Sequence, residues 1–179
     1  VAPRVSVNLS GRQLLNPRLV TEVSEALFGS GLPPERLVLE LTETALMTDL
    51  DASVSVLNEL KALGVSIAVD DFGIGYSSLT YLKRFPLDVL KIDRSFVEDI
   101  DRTTQEAALA QAVVALGQTL NLMTVAEGVE TQAHADRLLD LGCRTAQGYL
   151  FSRPVPPSEL GAVIRSLENR DLIDLQGPA

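Results

Sequence analysis

The sequence predicts an α/β fold in which parallel strands close into a barrel. Short apolar runs rich in β-branched residues alternate with segments of helical periodicity, which is the pattern of repeated strand–helix units. The runs are apolar at consecutive positions, as in a parallel sheet that helices cover on both faces. Each run also leads into an acid, an amide or a lysine. Closure would bring these polar residues to one site, whereas an open sheet would spread them along its edge, so a TIM-like (β/α) barrel is favoured.

Six strands are predicted, at 5–9, 37–41, 65–69, 89–92, 123–126 and 146–151. Barrels of this kind have eight strands and about 250 residues, so we expect six of the eight strands in this chain. The first run begins almost at the start of the chain. About two further strands are therefore expected to precede it in a parent protein.

Six helices are predicted between and after the strands, at 16–28, 48–63, 77–84, 103–120, 132–141 and 157–167. The first begins at the cap pair formed by Asn16 and Pro17 and ends at glycine. The second starts at Thr48 or Asp49 and has apolar residues at helical spacing before a glycine stops it. The third ends ahead of Pro86, because proline cannot continue a helix. The fourth is alanine-rich, which favours a helix, and the fifth ends at a glycine.

Composition and charge describe one folded domain and exclude several kinds of partner. With 46% hydrophobic and 22% charged residues, the 179-residue chain has material for one sizeable core, which we assign to residues 1–170 with a tail at 171–179. A net charge of −9 argues against binding of DNA or RNA polymers. The single cysteine, Cys143, gives no evidence of an oxidising compartment. Neither an apolar run of about 18 residues nor a signal-peptide pattern occurs. We therefore expect a cytoplasmic location and no membrane contact from this segment, with any membrane tether elsewhere in a parent protein.

Two adjacent acids, Asp70 and Asp71, follow the third predicted strand. Successive side chains of a strand point to opposite faces, so two acids together indicate the point where the strand opens into a loop. Unpaired and partly desolvated, they would repel each other, and a divalent cation would relieve this repulsion. Oxygen ligands of this kind suit magnesium or manganese. Two solvated loop acids remain the alternative at this point.

Six segments occur in the order found in one known family. They are VNLSGRQL, LELTET, VDDFGIGYSSL, LKIDRSFV, AEGVETQ and QGYLFSRP, and the resemblance that they carry covers nearly the whole chain, from Val5 to about Leu167. The chain thereby resembles the EAL family of bacterial cyclic-di-GMP phosphodiesterases. The resemblance implies a modified TIM barrel with one antiparallel strand, hydrolysis of cyclic di-GMP to linear pGpG, and magnesium or manganese as cofactor. It also implies a homodimer and regulatory domains elsewhere in the parent chain.

The resemblance also assigns site residues. Five positions match the family's metal ligands: Asn8, Glu40, Asp70, Asp71 and Glu127. Lys91 matches the lysine of the KID motif. Gln147 matches the glutamine of the QG motif, which is expected to bind substrate, and a buried glutamine that satisfies backbone groups is the alternative. Phosphodiester hydrolysis suits such residues, because two metal ions can lower the pKa of a bridging water and stabilise the attacking and leaving oxygens. We expect Asp70 to bridge the two ions.

Lys91 and three further acids have supporting roles in this interpretation. Lys91 would contact the nucleophilic water or the phosphate, as a general base or an electrostatic partner, and a structural ion pair is the alternative. Glu43, grouped with it as catalytic, resembles the family glutamate that steadies the loop after the aspartate pair, although a helix-start acid fits nearly as well. Asp93 is expected to orient Lys91, and Glu130 the ligand around Glu127.

The Glu-Ala-Leu motif that gives the family its name is expected on an early strand, and this chain has no match there, because the letters EAL at residues 25–27 fall within the predicted helix 16–28. Its glutamate is a metal ligand in the family, and we expect it upstream of Val1, in one of the strands that the barrel still lacks. The isolated 179-residue chain is therefore expected to bind metal weakly and to be inactive or poorly active.

Two other functions fit parts of the sequence. A degenerate EAL-like receptor would bind cyclic di-GMP without hydrolysing it, although such proteins usually lose metal ligands that are kept here. Gly73 and Gly75 follow a strand, and Asp93 lies about 20 residues later, which imitates a dinucleotide-binding fingerprint. The aspartate pair would, however, repel a pyrophosphate.

Several single polar residues receive no role from the sequence. His134 lies alone in a polar helical segment and is predicted to be a surface residue, because a metal site needs partner ligands. Arg12, Arg94 and Arg153 have the charge to reach a phosphate, but their sequence context does not distinguish them from surface arginines.

Overall fold

The computed structural model describes residues 3–73, 82–101 and 104–168. In this part of the chain six strands form one sheet: β1 (Val5–Asn8), β2 (Leu37–Thr42), β3 (Ser66–Phe72), β4 (Val89–Ile92), β5 (Met123–Ala126) and β6 (Thr145–Ala146). The described α-helices are α1 (Gly11–Leu14), α2 (Leu19–Ser30), α3 (Glu43–Met47), α4 (Leu50–Ala62), α5 (Thr104–Thr119), α6 (Gln132–Asp140) and α7 (Pro157–Glu168). Short 3-10 helices lie at Pro34–Arg36 and Arg94–Phe96.

The strands are ordered consecutively across the sheet, from β1 to β6, and every pairing is parallel. The described strands and helices form a curled half of a barrel, which confirms the predicted α/β class. A doubly wound dinucleotide-binding sheet reverses its strand order at a switch point, so that alternative is wrong. The antiparallel strand that the resemblance implied is not among the strands described here.

The central strands β3 and β4 are buried on both faces, as predicted. Ile67 and Val69 of β3 and Leu90 and Ile92 of β4 expose no surface to solvent, and Leu57 of α4 is equally buried in the same core. Full burial of one such side chain contributes about 1.5–3 kcal/mol to folding. The packing of these residues fixes the positions of the two strands that carry Asp70 and Lys91.

The predicted burial of strand 5–9 on both faces is wrong for β1. Val5 is 46% exposed and Val7 is 44% exposed. The physical reason is its position, because β1 pairs with β2 alone within the described sheet. Its register nevertheless sets Asn8 directly opposite Glu40 of β2.

The helix ends follow from local hydrogen bonds. Asp49 caps α4 as predicted, because its side chain accepts a hydrogen bond from the Ala52 amide at 3.1 Å. The predicted helix start at Asn16 is wrong, and α2 begins at Leu19. The Asn16 side chain instead accepts a hydrogen bond from the Arg18 amide at 3.0 Å, which closes a turn ahead of the helix.

The remaining helices agree with the sequence pattern where they are described. Helices α5, α6 and α7 lie within one residue of their predicted ends. Helices α1 and α3 are additional, and a capping box between Ser10 and Gln13 stabilises the first turn of α1. Residues 77–81 of the predicted helix 77–84 lie outside the described residues. None of the described helices combines the length and apolar character needed to cross a membrane.

The last strand is much shorter than the predicted 146–151. Strand β6 contains only Thr145 and Ala146, and the chain then forms a turn that is hydrogen-bonded to Val129. The Val129 amide donates to the Gln147 carbonyl at 3.1 Å, and the Leu150 amide donates to the Val129 carbonyl at 3.0 Å. These bonds take the place of a longer strand ladder, so Gln147 lies at the start of a turn beside the loop after β5.

Candidate functional site

The predicted site residues lie at the C-terminal ends of neighbouring strands. Asn8 ends β1, Glu40 lies in β2 and Asp70 lies near the end of β3. Beyond the strands, the Glu127 amide donates to the Ile92 carbonyl at 3.0 Å, and the Gln147 amide donates to the Ala126 carbonyl at 2.8 Å. These two bonds continue the ladder past β5 and β6. They hold Glu127 and Gln147 at the same edge of the sheet as the earlier residues.

Lys91 of β4 is the centre of the site. Its ammonium donates hydrogen bonds to Glu40 Oε2 at 2.6 Å, Asp70 Oδ1 at 3.0 Å and Glu127 Oε1 at 2.5 Å. The Lys91 side chain is only 4% exposed. Burial lowers the pKa of Lys91, but the hydrogen bonds to Glu127, Glu40 and Asp70 outweigh burial and raise the pKa above its usual value. The lysine therefore stays protonated at neutral pH in the metal-free protein.

Glu127 is held by two donors at the same oxygen. Gln147 Nε2 donates to Glu127 Oε1 at 2.6 Å, beside the Lys91 contact. Burial raises the pKa of Glu127, and the hydrogen bond and positive charge of Lys91 oppose that effect. Both donors contact Oε1, so Lys91 and Gln147 together fix the position of this carboxylate oxygen.

Asp70 and Asp71 reach the same side of the site because β3 is irregular there. The β3–β4 register shifts between Val69 and Phe72, and Asp71 has a left-handed backbone with φ of 54°. On a regular strand the two neighbouring side chains would point to opposite faces. Here carboxylate oxygens of Asp70, Asp71 and Glu127 lie within 4.8 Å of one another.

The arrangement fits divalent cations. Four carboxylates share this region with one ammonium, so three formal negative charges remain to be neutralised; the acids are Glu40, Asp70, Asp71 and Glu127. The donor atoms are all oxygens, which suit magnesium, manganese or calcium rather than soft metals. Burial raises the pKa of Asp71, and the negative charges of Asp70 and Asp93 raise it further. A cation at this position would remove that strain.

Comparison with known proteins identifies the family. The family model described as "EAL domain" matches residues 1–154. The chain belongs to the EAL domain family. This assignment confirms the resemblance drawn from the six motifs and agrees with the half-barrel of parallel strands.

Relatives of this EAL domain include named enzymes. The chain is 49% identical over 160 residues to the bifunctional diguanylate cyclase/cyclic di-GMP phosphodiesterase MucR of Pseudomonas aeruginosa, covering 89% of this chain and 23% of MucR. It is 48% identical over 163 residues to the cyclic di-GMP phosphodiesterase NbdA of the same organism, covering 91% of this chain and 21% of NbdA. The chain thus spans less than a quarter of the length of either relative.

Solved structures share both the fold and substantial sequence identity. A structure of the MucR phosphodiesterase in complex with c-di-GMP matches with a TM-score of 0.83 and 50% identity, over 88% of this chain and 64% of that one. A manganese and c-di-GMP complex of BlrP1 from Klebsiella pneumoniae matches with a TM-score of 0.79 and 38% identity, over 84% of this chain and 39% of that one. The fold of this EAL domain is therefore that of its solved relatives.

The three supporting acids of the EAL domain, Glu43, Asp93 and Glu130, lie near the site. The contacts of Asp93 and Glu130 are with other residues than those predicted. Glu43 begins α3 and lines the same small cavity as Val69 and Phe72, which flank the aspartate pair, and its role in steadying that turn stays a prediction. Asp93 accepts a hydrogen bond from the Ser95 amide at 2.8 Å, and it lies close enough to Asp71 for its negative charge to raise the pKa of Asp71. A positioning role for Asp93 would therefore act on Asp71 rather than on Lys91 as predicted.

Glu130 pairs with Arg94, an arginine to which the sequence assigned no role. Its Oε1 lies 3.2 Å from Arg94 Nη2, and its role in orienting Glu127 stays a prediction. Arg94 also lines a cavity of about 510 Å³ beside Glu127 and Gln147. Arg153 lines the same cavity, with its guanidinium 4.5 Å above the Tyr149 ring centre. The sequence position of Arg94, shortly after the end of a predicted strand, was the signal that could have identified it as a site residue.

The prediction that His134 is a surface residue is wrong. The residue is 7% exposed, and its Nε2 lies 3.7 Å from Asp101 Oδ1. His134 and Leu138 are four residues apart on α6, and both are buried. Residues with this spacing share one helix face, so the face that carries Leu138 also turns His134 inward. The spacing to Leu138 was therefore a better guide than the polar composition of the segment.

Replacing Asp71 with asparagine is expected to stabilise the metal-free EAL domain at neutral pH and to weaken manganese binding. Asparagine tolerates the left-handed backbone and removes the repulsion with Asp70 and Asp93. Folding raises the pKa of Asp71, so its ionised form opposes folding. The gain from Asp71→Asn should be full above the folded-state pKa and disappear at acid pH, where the carboxyl is protonated in both states.

Urea denaturation in EDTA at about pH 7 and about pH 3 checks the expectation for Asp71→Asn, with manganese titrations run beside it. Asp51→Asn is the matched control, because Asp51 is an exposed acid away from the site that pairs with Arg84 at 2.7 Å. A variant that is less stable than the wild type at neutral pH, or that binds manganese equally well, would contradict the expectation.

Proposed function

We propose that this EAL domain hydrolyses cyclic di-GMP to linear pGpG, using two magnesium or manganese ions. The observation that carries the proposal is the set of carboxylate oxygens from Asp70, Asp71 and Glu127 within 4.8 Å of one another, beside the buried Lys91. The c-di-GMP complex of MucR and the manganese complex of BlrP1 support the choice of substrate and cofactor.

The metal ligands in this proposal are Asn8, Glu40, Asp70, Asp71 and Glu127. Bound divalent ions would supply positive charge for the phosphodiester and lower the pKa of a nucleophilic water. Asp70 is the candidate bridging ligand, because it lies between Lys91 and the Asp71 turn. Asn8 would add a neutral oxygen from β1, opposite Glu40. Glu43 would steady the turn that carries the aspartate pair.

Lys91 is proposed to act as an electrostatic partner rather than as a general base. A general base must give up its proton before it can accept one, and in the metal-free protein three carboxylates hold the proton on Lys91. The ammonium instead orients Glu40, Asp70 and Glu127 and can stabilise negative charge on the phosphate. Gln147 would orient Glu127 and contact the substrate from the turn after β6.

The proposal extends to the setting of the domain. We place the EAL domain at residues 1–170 with a tail at 171–179, in a cytoplasmic homodimeric protein whose regulatory domains lie elsewhere in the parent chain. The relatives' greater length supports the last of these features. A receptor that binds cyclic di-GMP without hydrolysing it is less well supported, because the carboxylates and Lys91 are retained together in one cluster.

Turnover of cyclic di-GMP tests the proposal directly. The natural protein that contains this chain is incubated with cyclic di-GMP and manganese, and the products are separated by liquid chromatography and mass spectrometry. We expect pGpG to form with manganese or magnesium and not with EDTA. Tight binding of cyclic di-GMP without pGpG would favour the receptor, and the absence of both would refute the proposal. The 179-residue chain assayed in parallel tests the expectation that it is poorly active alone.

A further inference from the structure

Arg94 connects the turns that follow β4 and β5. It begins the 3-10 helix Arg94–Phe96, directly after Asp93. Its Nη2 lies 3.2 Å from Glu130 Oε1 and 3.7 Å from Glu98 Oε1. The first contact crosses to the turn after β5, whereas the second stays within its own segment. Arg94 therefore ties the loop after Lys91 to the loop that contains Glu127.

The aliphatic part of Arg94 packs directly on Gly128. A Cβ atom added at Gly128 would lie 2.5 Å from Cγ and 2.9 Å from Cβ of Arg94, closer than real Cβ contacts come. Gly128 also has φ of 67°, a left-handed backbone that favours glycine. The two residues thus meet as closely as backbone and side chain can, and Gly128 is the residue immediately after Glu127.

Two backbone hydrogen bonds hold the residues on either side of Gly128, and the Arg94 side chain packs on Gly128 itself. On the strand side, the Glu127 amide is bonded to the Ile92 carbonyl at 3.0 Å. On the far side, the Val129 amide is bonded to the Gln147 carbonyl at 3.1 Å. Gly128 lies between these two anchors, and the Arg94 side chain covers it.

We infer that Arg94 is a positioning residue for Glu127, which holds the Glu127 carboxylate toward Asp70 and Lys91 by packing on Gly128 and pairing with Glu130. The inference rests on the proposed function, in which Glu127 is a metal ligand. Both side chains of the Arg94–Glu130 pair are about half exposed, and such pairs add little by themselves. The packing of the aliphatic part on Gly128 is therefore the larger component.

Three substitutions separate the two components. Arg94→Ala removes both the packing and the charge. Arg94→Met keeps an unbranched aliphatic chain and removes the charge. Arg94→Lys keeps an aliphatic chain and a positive charge, with an ammonium in place of the guanidinium. Outer-shell partners of metal ligands typically change metal affinity by about 10- to 100-fold. We expect about tenfold weaker manganese binding for Arg94→Ala, and affinities within about threefold of the wild type for Arg94→Met and Arg94→Lys.

Arg18→Ala is the matched control. Arg18 forms an exposed pair with Glu22 at 3.7 Å, like the local Arg94–Glu98 pair, but lies on the approach to α2. We expect its manganese affinity to equal that of the wild type. An equal loss of affinity in Arg18→Ala and Arg94→Ala would overturn the inference, because the effect would then not depend on the contact with Gly128.

Two readouts in the natural protein distinguish this inference from the proposed function. Hydrogen exchange without metal should be faster at the Glu127 and Val129 amides in Arg94→Ala, and calorimetric titration should show the weaker manganese binding. Faster exchange with unchanged manganese affinity would overturn the inference, as would an equal loss of affinity in Arg94→Met. If the wild type binds manganese but forms no pGpG, the proposed function fails, while the affinity difference still supports the role of Arg94.

Discussion

Replacing Lys91 with methionine is expected to lower the free energy of unfolding of the metal-free protein by about 3–5 kcal/mol and to abolish hydrolysis. Methionine fills similar space but leaves the buried Glu40 and the largely buried Asp70 and Glu127 without the ammonium that lies 2.5–3.0 Å from each of them. Removing one partner from a buried charge cluster is costly, because the remaining charges keep their desolvation penalty. Folding raises the pKa of Lys91, so its stabilising effect is fully present at neutral pH and is lost only as the pH rises through the raised value.

Chemical denaturation in EDTA and in manganese measures the effect of Lys91→Met. We expect manganese to restore part of the lost stability, because the ion brings positive charge to the same carboxylates. Lys61→Met is the control, since Lys61 pairs with Asp88 at 2.7 Å with both side chains about one third exposed. It should cost about 1 kcal/mol or less and leave manganese binding unchanged. Equal stability of Lys91→Met and wild type in EDTA would show that the ammonium does not hold the cluster together.

Replacing Asp70 with asparagine is expected to reduce hydrolysis by about 10³-fold or more while leaving the fold intact. Metal charge stabilises a transition state by several kcal/mol, and each 1.36 kcal/mol is worth about tenfold in rate. Asparagine has nearly the same shape, and Glu40 and Glu127 remain as partners of Lys91. The loss should therefore appear in metal binding and turnover rather than in the stability of the metal-free protein.

Calorimetric titration with manganese and chromatographic detection of pGpG test the Asp70 expectation. The matched control is again Asp51→Asn, because Asp51 is 86% exposed and pairs with Arg84 away from the site. It should bind manganese and form pGpG like the wild type. Wild-type manganese affinity in Asp70→Asn would remove Asp70 from the set of ligands, and a large loss of stability in EDTA would assign it a structural role instead.

Most of the fold could be predicted from local patterns. Strands β2, β3, β4 and β5 lie at the predicted places, because runs of buried β-branched residues stand out from the helical periodicity around them. Caps such as Asp49 and stops such as Gly31, with φ of 68°, depend on short-range hydrogen bonds and backbone preferences that the residue type itself carries. The error in β6 lies where a distant part of the chain competes with these preferences. The turn after Gln147 bonds to Val129 instead of extending β6, and the two residues are 18 positions apart.

The sequence by itself determined which chemistry the site can hold. Acids, an amide and a lysine at successive strand ends, in the order of the EAL motifs, predict the residues that meet in the structure. Their order along the chain cannot predict which atoms touch, because contacts across parallel strands depend on register and on local irregularities. The tertiary structure alone decided that Lys91 lies among three carboxylates. It also decided that the left-handed backbone of Asp71 turns two adjacent acids to one side, and that Arg94 reaches across to Gly128.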